Sequence, residues 1–165
     1  MSITIRVEGL DRLAAQLRAD HLLGPALRRG LDKVGYIITS EAKKRAPVDR
    51  GQLRASISHE VDPSPLPTFV KIGAKPHYAP YMEFGTGLVH DHPSWPRKPH
   101  KIPFGVLDGW GKRKGIDGAG AAGAIMKRGG LKPRRYLRGA IEDNEGRIVK
   151  LIAGELKKAG QGPGG

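Results

Sequence analysis

Cysteine is absent from this 165-residue chain. Disulfide frameworks, thiolate zinc sites and cysteine nucleophiles are thereby excluded, while the redox compartment stays unassigned. Aromatic rings are scarce, at 5% of the residues, so few large side chains can anchor a core. Long apolar runs are also missing. No stretch of about 18 apolar residues occurs, so no membrane span is predicted. The N-terminal MSITIRVEG alternates with charge and lacks the apolar region of a secretory signal. Acidic residues run short in one third of the chain. Residues 86–138 hold 12 basic groups against Asp91, Asp108 and Asp117, and so carry +9 of the total +13. Such a stretch is either a solvated basic face or a surface compensated by a polyanion or an acidic partner. The length suits one domain over residues 1–165, and 38% hydrophobic residues suffice for a modest core.

What is present has readable periodicity. Ile3, Ile5 and Val7 alternate with Thr4, Arg6 and Glu8, which predicts a half-buried strand ended by Gly9. Asp11 can cap a short helix with Leu10, Leu13, Ala14 and Leu17 on one face. Leu27, Leu31, Val34, Ile38 and Ala42 form one apolar stripe of a longer helix. Pro25 lies near its start and Ala46-Pro47 opposes its continuation. Leu53, Ala55, Ile57, His59 and Val61 alternate with polar residues and predict a strand. After a loop stiffened by Pro63, Pro65 and Pro67, residues 69–72 predict a returning antiparallel strand. Pro93, Pro96, Pro99 and Pro103 make residues 86–103 irregular. Short helices are expected over 104–114 and 119–128, separated by Gly115. Leu137, Ile141, Ile148, Ile152, Leu156 and Ala159 predict one C-terminal amphipathic helix, followed by a flexible tail over 160–165. The fold class is α+β: a small antiparallel sheet packed against two longer helices, with a long irregular basic insertion over about 88–130.

Motifs for chemistry are thin. Gly118-Ala119-Gly120-Ala121-Ala122-Gly123 spells G-x-G-x-x-G, but the polar, cationic Gly111–Gly115 segment before it is no strand. A phosphate-binding turn needs that strand, so the match is one of chance. His77, His90, His92 and His100 are close in sequence, yet lack helical i, i+4 spacing and a second ligand pair, so no metal is expected. No nucleophile elbow, Ser-x-x-Lys arrangement or carboxylate pair appears. Glu83 is the one acid in an aromatic setting, and reads as a buried, hydrogen-bonded structural carboxylate. The expectation is a non-enzyme without cofactor. Lys112, Arg113, Lys114, Lys127, Arg128, Lys132, Arg134 and Arg135 are the candidate contacts to DNA or to a protein partner. No recognition helix, zinc finger or RNA-binding consensus accompanies them, so any DNA contact would be non-specific.

Two ordered segments resemble a family of tail-completion, or head–tail joining (neck), proteins of long-tailed bacteriophages. Ala46-Pro47-Val48-Asp49-Arg50-Gly51-Gln52-Leu53-Arg54-Ala55-Ser56-Ile57 is similar to that family's A-P-V-D-T-G-x-L-R-x-S-I segment. Tyr78-Ala79-Pro80-Tyr81-Met82-Glu83-Phe84-Gly85-Thr86 is similar to its Y-A-x-Y-x-E-F-G-T segment. A late P-x-x-Y/F-L-x-x-A follows as Pro133–Ala140. Arg50 replaces the usual Thr, Tyr136 the usual Phe, and the insertion exceeds that of compact members. The signature positions carried over are Ala46, Pro47, Asp49, Gly51, Leu53, Tyr78, Tyr81, Glu83, Phe84, Gly85 and Thr86.

The resemblance implies a structural virion protein, assembled in the host cytoplasm, with no membrane association. It implies a homo-oligomeric ring, often sixfold, between the connector or stopper and the tail tube or its terminator. A tail-tube terminator is the neighbouring role, and a free-standing non-specific DNA-binding protein is supported by charge alone. Tyr78, Tyr81 and Phe84 suit either a core or a subunit seam. In a ring the +9 segment would repeat around an axis, facing DNA in the channel or acidic protein surfaces.

Overall fold

A computed structural model describes residues 1–8, 20–99, 101–103 and 105–161. The helix expected from Asp11, His100, Phe104 and the last four residues of the tail lie outside the described residues.

Three antiparallel strands form one sheet in the order β1-β3-β2. β1 is Ser2–Arg6, β2 is Ser58–Val61 and β3 is Phe69–Gly73. Ile3 and Ile5 turn inward from β1, while Ser2, Thr4 and Arg6 face solvent, as the alternation requires. β3 is the centre: Ile72 pairs with Ile3 on one side and His59 on the other, and both Val70 and Ile72 are fully buried.

The first helix among the described residues, α1 (Asp20–Arg45), is also the longest of them. All five residues of its apolar stripe, Leu27, Leu31, Val34, Ile38 and Ala42, are fully buried. It begins five residues before Pro25, so the proline sits in the second turn, where one backbone hydrogen bond is lost. It stops at Arg45, before the Ala46-Pro47 dipeptide.

Residues 52–56 depart from the predicted strand. They form a single-turn helix, α2 (Gln52–Ser56), and only β2 is extended. Gly51 enters α2 with φ +77, and Leu53 and Ile57, four apart, are both buried while Ala55 is exposed. The alternating pattern was therefore the face of one helical turn running into a strand.

α3 (Ala79–Phe84), α4 (Asp108–Lys114) and α5 (Gly118–Lys127) follow. α4 starts later than expected, after a turn over Gly105–Leu107, and ends at Gly115. The expected single C-terminal helix is two: α6 (Tyr136–Glu142) and α7 (Glu145–Gly160), interrupted at Asp143-Asn144. The side-chain amide of Asn144 donates to the Ala140 carbonyl at 2.9 Å, closing α6 where α7 begins.

α1 is a shared wall. It packs on β2 and β3, and also on α6 and α7. The α1–α7 contact is close enough that a Cβ at Gly30 would lie 3.3 Å from the Ile152 Cα. Glu155 on α7, itself buried, accepts from Lys33 at 2.6 Å, Arg29 at 3.1 Å and Lys158 at 3.2 Å, tying the two helices together. Those three cations, Lys33 foremost, hold its pKa at about 2.

Candidate functional site

The signature segments meet at one place. α3 carries Glu83, whose side chain is fully buried. Its Oε2 accepts from the Leu137 amide at 2.8 Å, and its Oε1 from the Arg138 amide at 2.9 Å and the Arg138 Nε at 3.2 Å. Leu137 and Arg138 open α6, which enters from Arg135 at φ +48 with no side-chain cap of its own. A carboxylate from 54 residues away therefore satisfies the free amides and complements the positive end of this helix. The sequence expectation of a buried, hydrogen-bonded structural carboxylate matches this geometry.

Backbone pairing extends the junction. The segment after Gly129 runs back along residues 82–88. Leu88 donates to the Gly129 carbonyl at 2.7 Å, Thr86 to Leu131 at 2.9 Å, and Arg134 to Met82 at 2.9 Å. The Thr86 hydroxyl accepts from the Leu131 amide at 3.0 Å. Gly85 makes this approach possible. It sits at φ +78, and a Cβ there would lie 2.4 Å from the Leu131 carbonyl oxygen.

Beneath the junction, Ala46 and Leu53 of the first signature segment share one core with Ala79, Tyr136, Leu137 and Ala140. Tyr136 is the largest fully buried side chain among the described residues. Burial, and secondarily the Glu83 charge, pushes its hydroxyl well above the ordinary tyrosine range.

Above it lies a ring cluster. Arg138 reaches from Glu83 to Asp91 at 2.7 Å and covers the Phe84 ring at 4.5 Å. Phe84 meets His92 edge-on at 4.5 Å, and His92 stacks on Trp95 at 4.3 Å, with Tyr81 at 5.4 Å from Trp95. Tyr78 and Phe84 are half-buried, and Tyr81 is 49% exposed, so Tyr81 is the most open of these three signature rings. His90 is buried, and its Nδ1 accepts from the His92 amide at 3.2 Å, which places its proton on Nε2. The histidines of this loop thus stack and make local hydrogen bonds. Among the described residues no group of three or more His, Asp or Glu side chains is placed to hold a metal.

The insertion docks onto the other signature segment. Arg113 makes a two-pronged contact with Asp49, at 3.0 Å from Nε and 2.5 Å from a terminal nitrogen, and Lys114 donates to the Val48 carbonyl at 3.0 Å. Arg113 holds the Asp49 carboxyl below its usual range. The G-x-G-x-x-G run proves to be the entrance of α5: Asp117 caps it by accepting from the Ala119 and Gly120 amides, and the element before it is α4. A Cβ on Gly118 would lie 2.7 Å from the Leu107 backbone, so the small residue serves helix–turn packing.

The eight basic candidates therefore divide. Arg113 and Lys114 bind Asp49 and Val48, and Arg135 pairs with Asp91 at 3.4 Å and Glu142 at 3.3 Å. Lys112, Lys127, Arg128, Lys132 and Arg134 are exposed and meet no carboxylate among the described residues. Arg138, Asp91 and Tyr136 were absent from the sequence-based site. Arg138 meets Asp91 across 47 residues and Tyr136 meets Ala79 across 57, beyond the reach of local pattern.

No helix among the described residues is long and apolar enough to cross a membrane. No curated protein and no solved structure matches the chain. Residues 11–85 match the model of the HK97-gp10-like family, described as "Bacteriophage HK97-gp10, putative tail-component". That stretch, which includes the A-P-V-D segment and nearly all of the Y-A-P-Y-M-E-F-G-T segment, is similar to this family of phage tail components, consistent with the tail-completion and neck proteins that the two segments resemble.

Proposed function

We propose that the chain is a ring-forming structural subunit of the phage neck, which completes the tail or joins it to the head. The observation that carries this reading is the Glu83 junction. It commits the most deeply buried acid of the signature to holding α3, the returning segment and α6 together, a scaffolding task. Ring closure by a head-to-tail interface needs two different surfaces on one subunit. Two apolar sets are available for it: Tyr36 on α1 with Val149 on α7, and Leu88, Val106, Ile116 and Met126 on the insertion. All six are exposed.

The partners in this reading are further copies of the chain, probed first as a hexamer, with the connector or stopper on one side and the tail tube or terminator on the other. Light scattering of the purified chain, alone and with its tail-tube protein, tests ring closure. A mass that stays at one subunit in both samples would overturn the ring. The neighbouring role, a tail-tube terminator, would show as overlong tubes in particles that lack the chain.

A further inference from the structure

The geometry points to a phosphate-binding ridge for duplex DNA, formed by Lys127, Arg128, Lys132 and Arg134. Three observations converge on these residues. The first is charge. Residues 118–141 contain six Lys+Arg and no acid, and two of those six, Arg135 and Arg138, are bound by Glu83, Asp91 and Glu142. The four that remain have no carboxylate partner among the described residues.

The second is rigidity. The ridge runs from the end of α5 along a segment pinned at Gly129, Leu131 and Arg134 by backbone hydrogen bonds to Leu88, Thr86 and Met82. Leu131 and Pro133 are half-buried while Lys132 and Arg134 are exposed, so the two cations leave the same side of the segment. The Arg128 Nε donates to the Ala124 carbonyl at 3.1 Å, which holds its guanidinium along the helix end. Presenting cations on fixed backbone lowers the ordering cost of a polyanion contact.

The third is composition. Protein interfaces are depleted in lysine and centred on apolar or aromatic anchors. The ridge has two lysines, two arginines and no exposed ring. Phosphate contact asks only for cations along a track, without base readout. Neither remaining segment offers a second copy a net negative charge, since residues 1–85 carry +4 and residues 139–165 are neutral. The neighbouring Arg113 and Lys114 stand apart from this role, being bound to Asp49 and Val48.

This inference rests on the neck reading only for where DNA would be met, and its test uses the isolated full-length chain. Binding to a random-sequence duplex is followed by fluorescence anisotropy as NaCl rises. Each phosphate contact contributes about 0.9 to the slope of log affinity against log salt, so Lys127→Ala/Arg128→Ala/Lys132→Ala/Arg134→Ala should flatten it by about 3 to 4. At about 0.1 M salt its binding should weaken by at least a hundredfold. Lys150→Ala/Lys157→Ala removes two exposed charges from α7 and should leave the slope of the wild-type chain. Thermal melting followed by circular dichroism should coincide for all three proteins. An unchanged slope in the fourfold variant would overturn the ridge. So would an equal loss in the α7 variant, which would mean net charge alone. Tighter binding of poly-glutamate than of duplex would also overturn it, by assigning the cations to an acidic protein. Ring mass, measured separately by light scattering, decides the neck reading whatever the DNA result.

Discussion

Replacing Glu83 by alanine removes three hydrogen bonds at once from a fully buried position. Two of the lost donors are the Leu137 and Arg138 amides, and each buried donor left unsatisfied costs about 1–3 kcal/mol. The third is the Arg138 guanidinium. Removing one partner of a buried ion pair costs about 3–5 kcal/mol. These figures do not add, since Arg138 keeps Asp91 at 2.7 Å and its side chain is 24% exposed. A total near the ion-pair range, ~3–5 kcal/mol, is expected for Glu83→Ala. Glu83→Gln keeps one acceptor oxygen and the side-chain volume, so its cost should be smaller, ~1–3 kcal/mol. For a chain of this size each kcal/mol lowers Tm by about 2–4 °C, so the alanine variant should melt roughly 6–20 °C below wild type. Urea denaturation followed by circular dichroism measures both variants at a common slope. An alanine variant within ~0.5 kcal/mol of wild type, the scatter of neutral surface changes, would refute the claim that this carboxylate organises the junction.

Four further outcomes follow from the same structure. Gly85→Ala and Gly51→Ala start from nearly equal φ, +78 and +77, but only Gly85 has backbone at 2.4 Å from a new Cβ, whereas Gly51 faces open space. Gly51→Ala should cost about 1–2 kcal/mol of left-handed strain and Gly85→Ala distinctly more; equal losses in urea denaturation would contradict the packing assignment. Glu155 has a folded pKa near 2 against an ordinary value of 4.5, so its contribution is full above about 4.5 and is lost as pH falls toward 2. Glu155→Gln should therefore lower stability at pH 7 and flatten the acid limb, and parallel pH curves would count against the α1–α7 tie. Tyr136 has a raised folded pKa, so its contribution is present below the ordinary value of 10 and fails as pH climbs above it. In an absorbance titration Tyr136 should ionise only as the fold opens; its ionisation near pH 10 with the fold intact would place it in water. Arg113→Ala should raise amide exchange across α4 and α5 while leaving α1 protected, and unchanged exchange would show that Asp49 does not hold the insertion.

Periodicity exposed the parts of the fold that obey one period. β1 and the buried stripe of α1 were legible because each apolar residue faces a single neighbouring layer. Leu53, Ala55 and Ile57 misled because Leu53 and Ile57 fit a spacing of four as well as two, and the φ +77 at Gly51 decided for helix. The break at Asp143-Asn144 was invisible because Ile141 and Ile148, seven apart, stay in phase across it. Glu83 stood out by its aromatic setting, but Leu137 and Arg138 did not, since contact across 54 residues leaves no local pattern. The same distance hid the pairing of Asp49 with Arg113, and so the division of the basic residues into bound and free sets.

The most direct measurement is electron microscopy of particles assembled without this chain. The neck account predicts DNA-filled heads lying beside finished tails of normal length, with joining restored when the purified chain is added. Joined, complete particles in its absence would contradict that account.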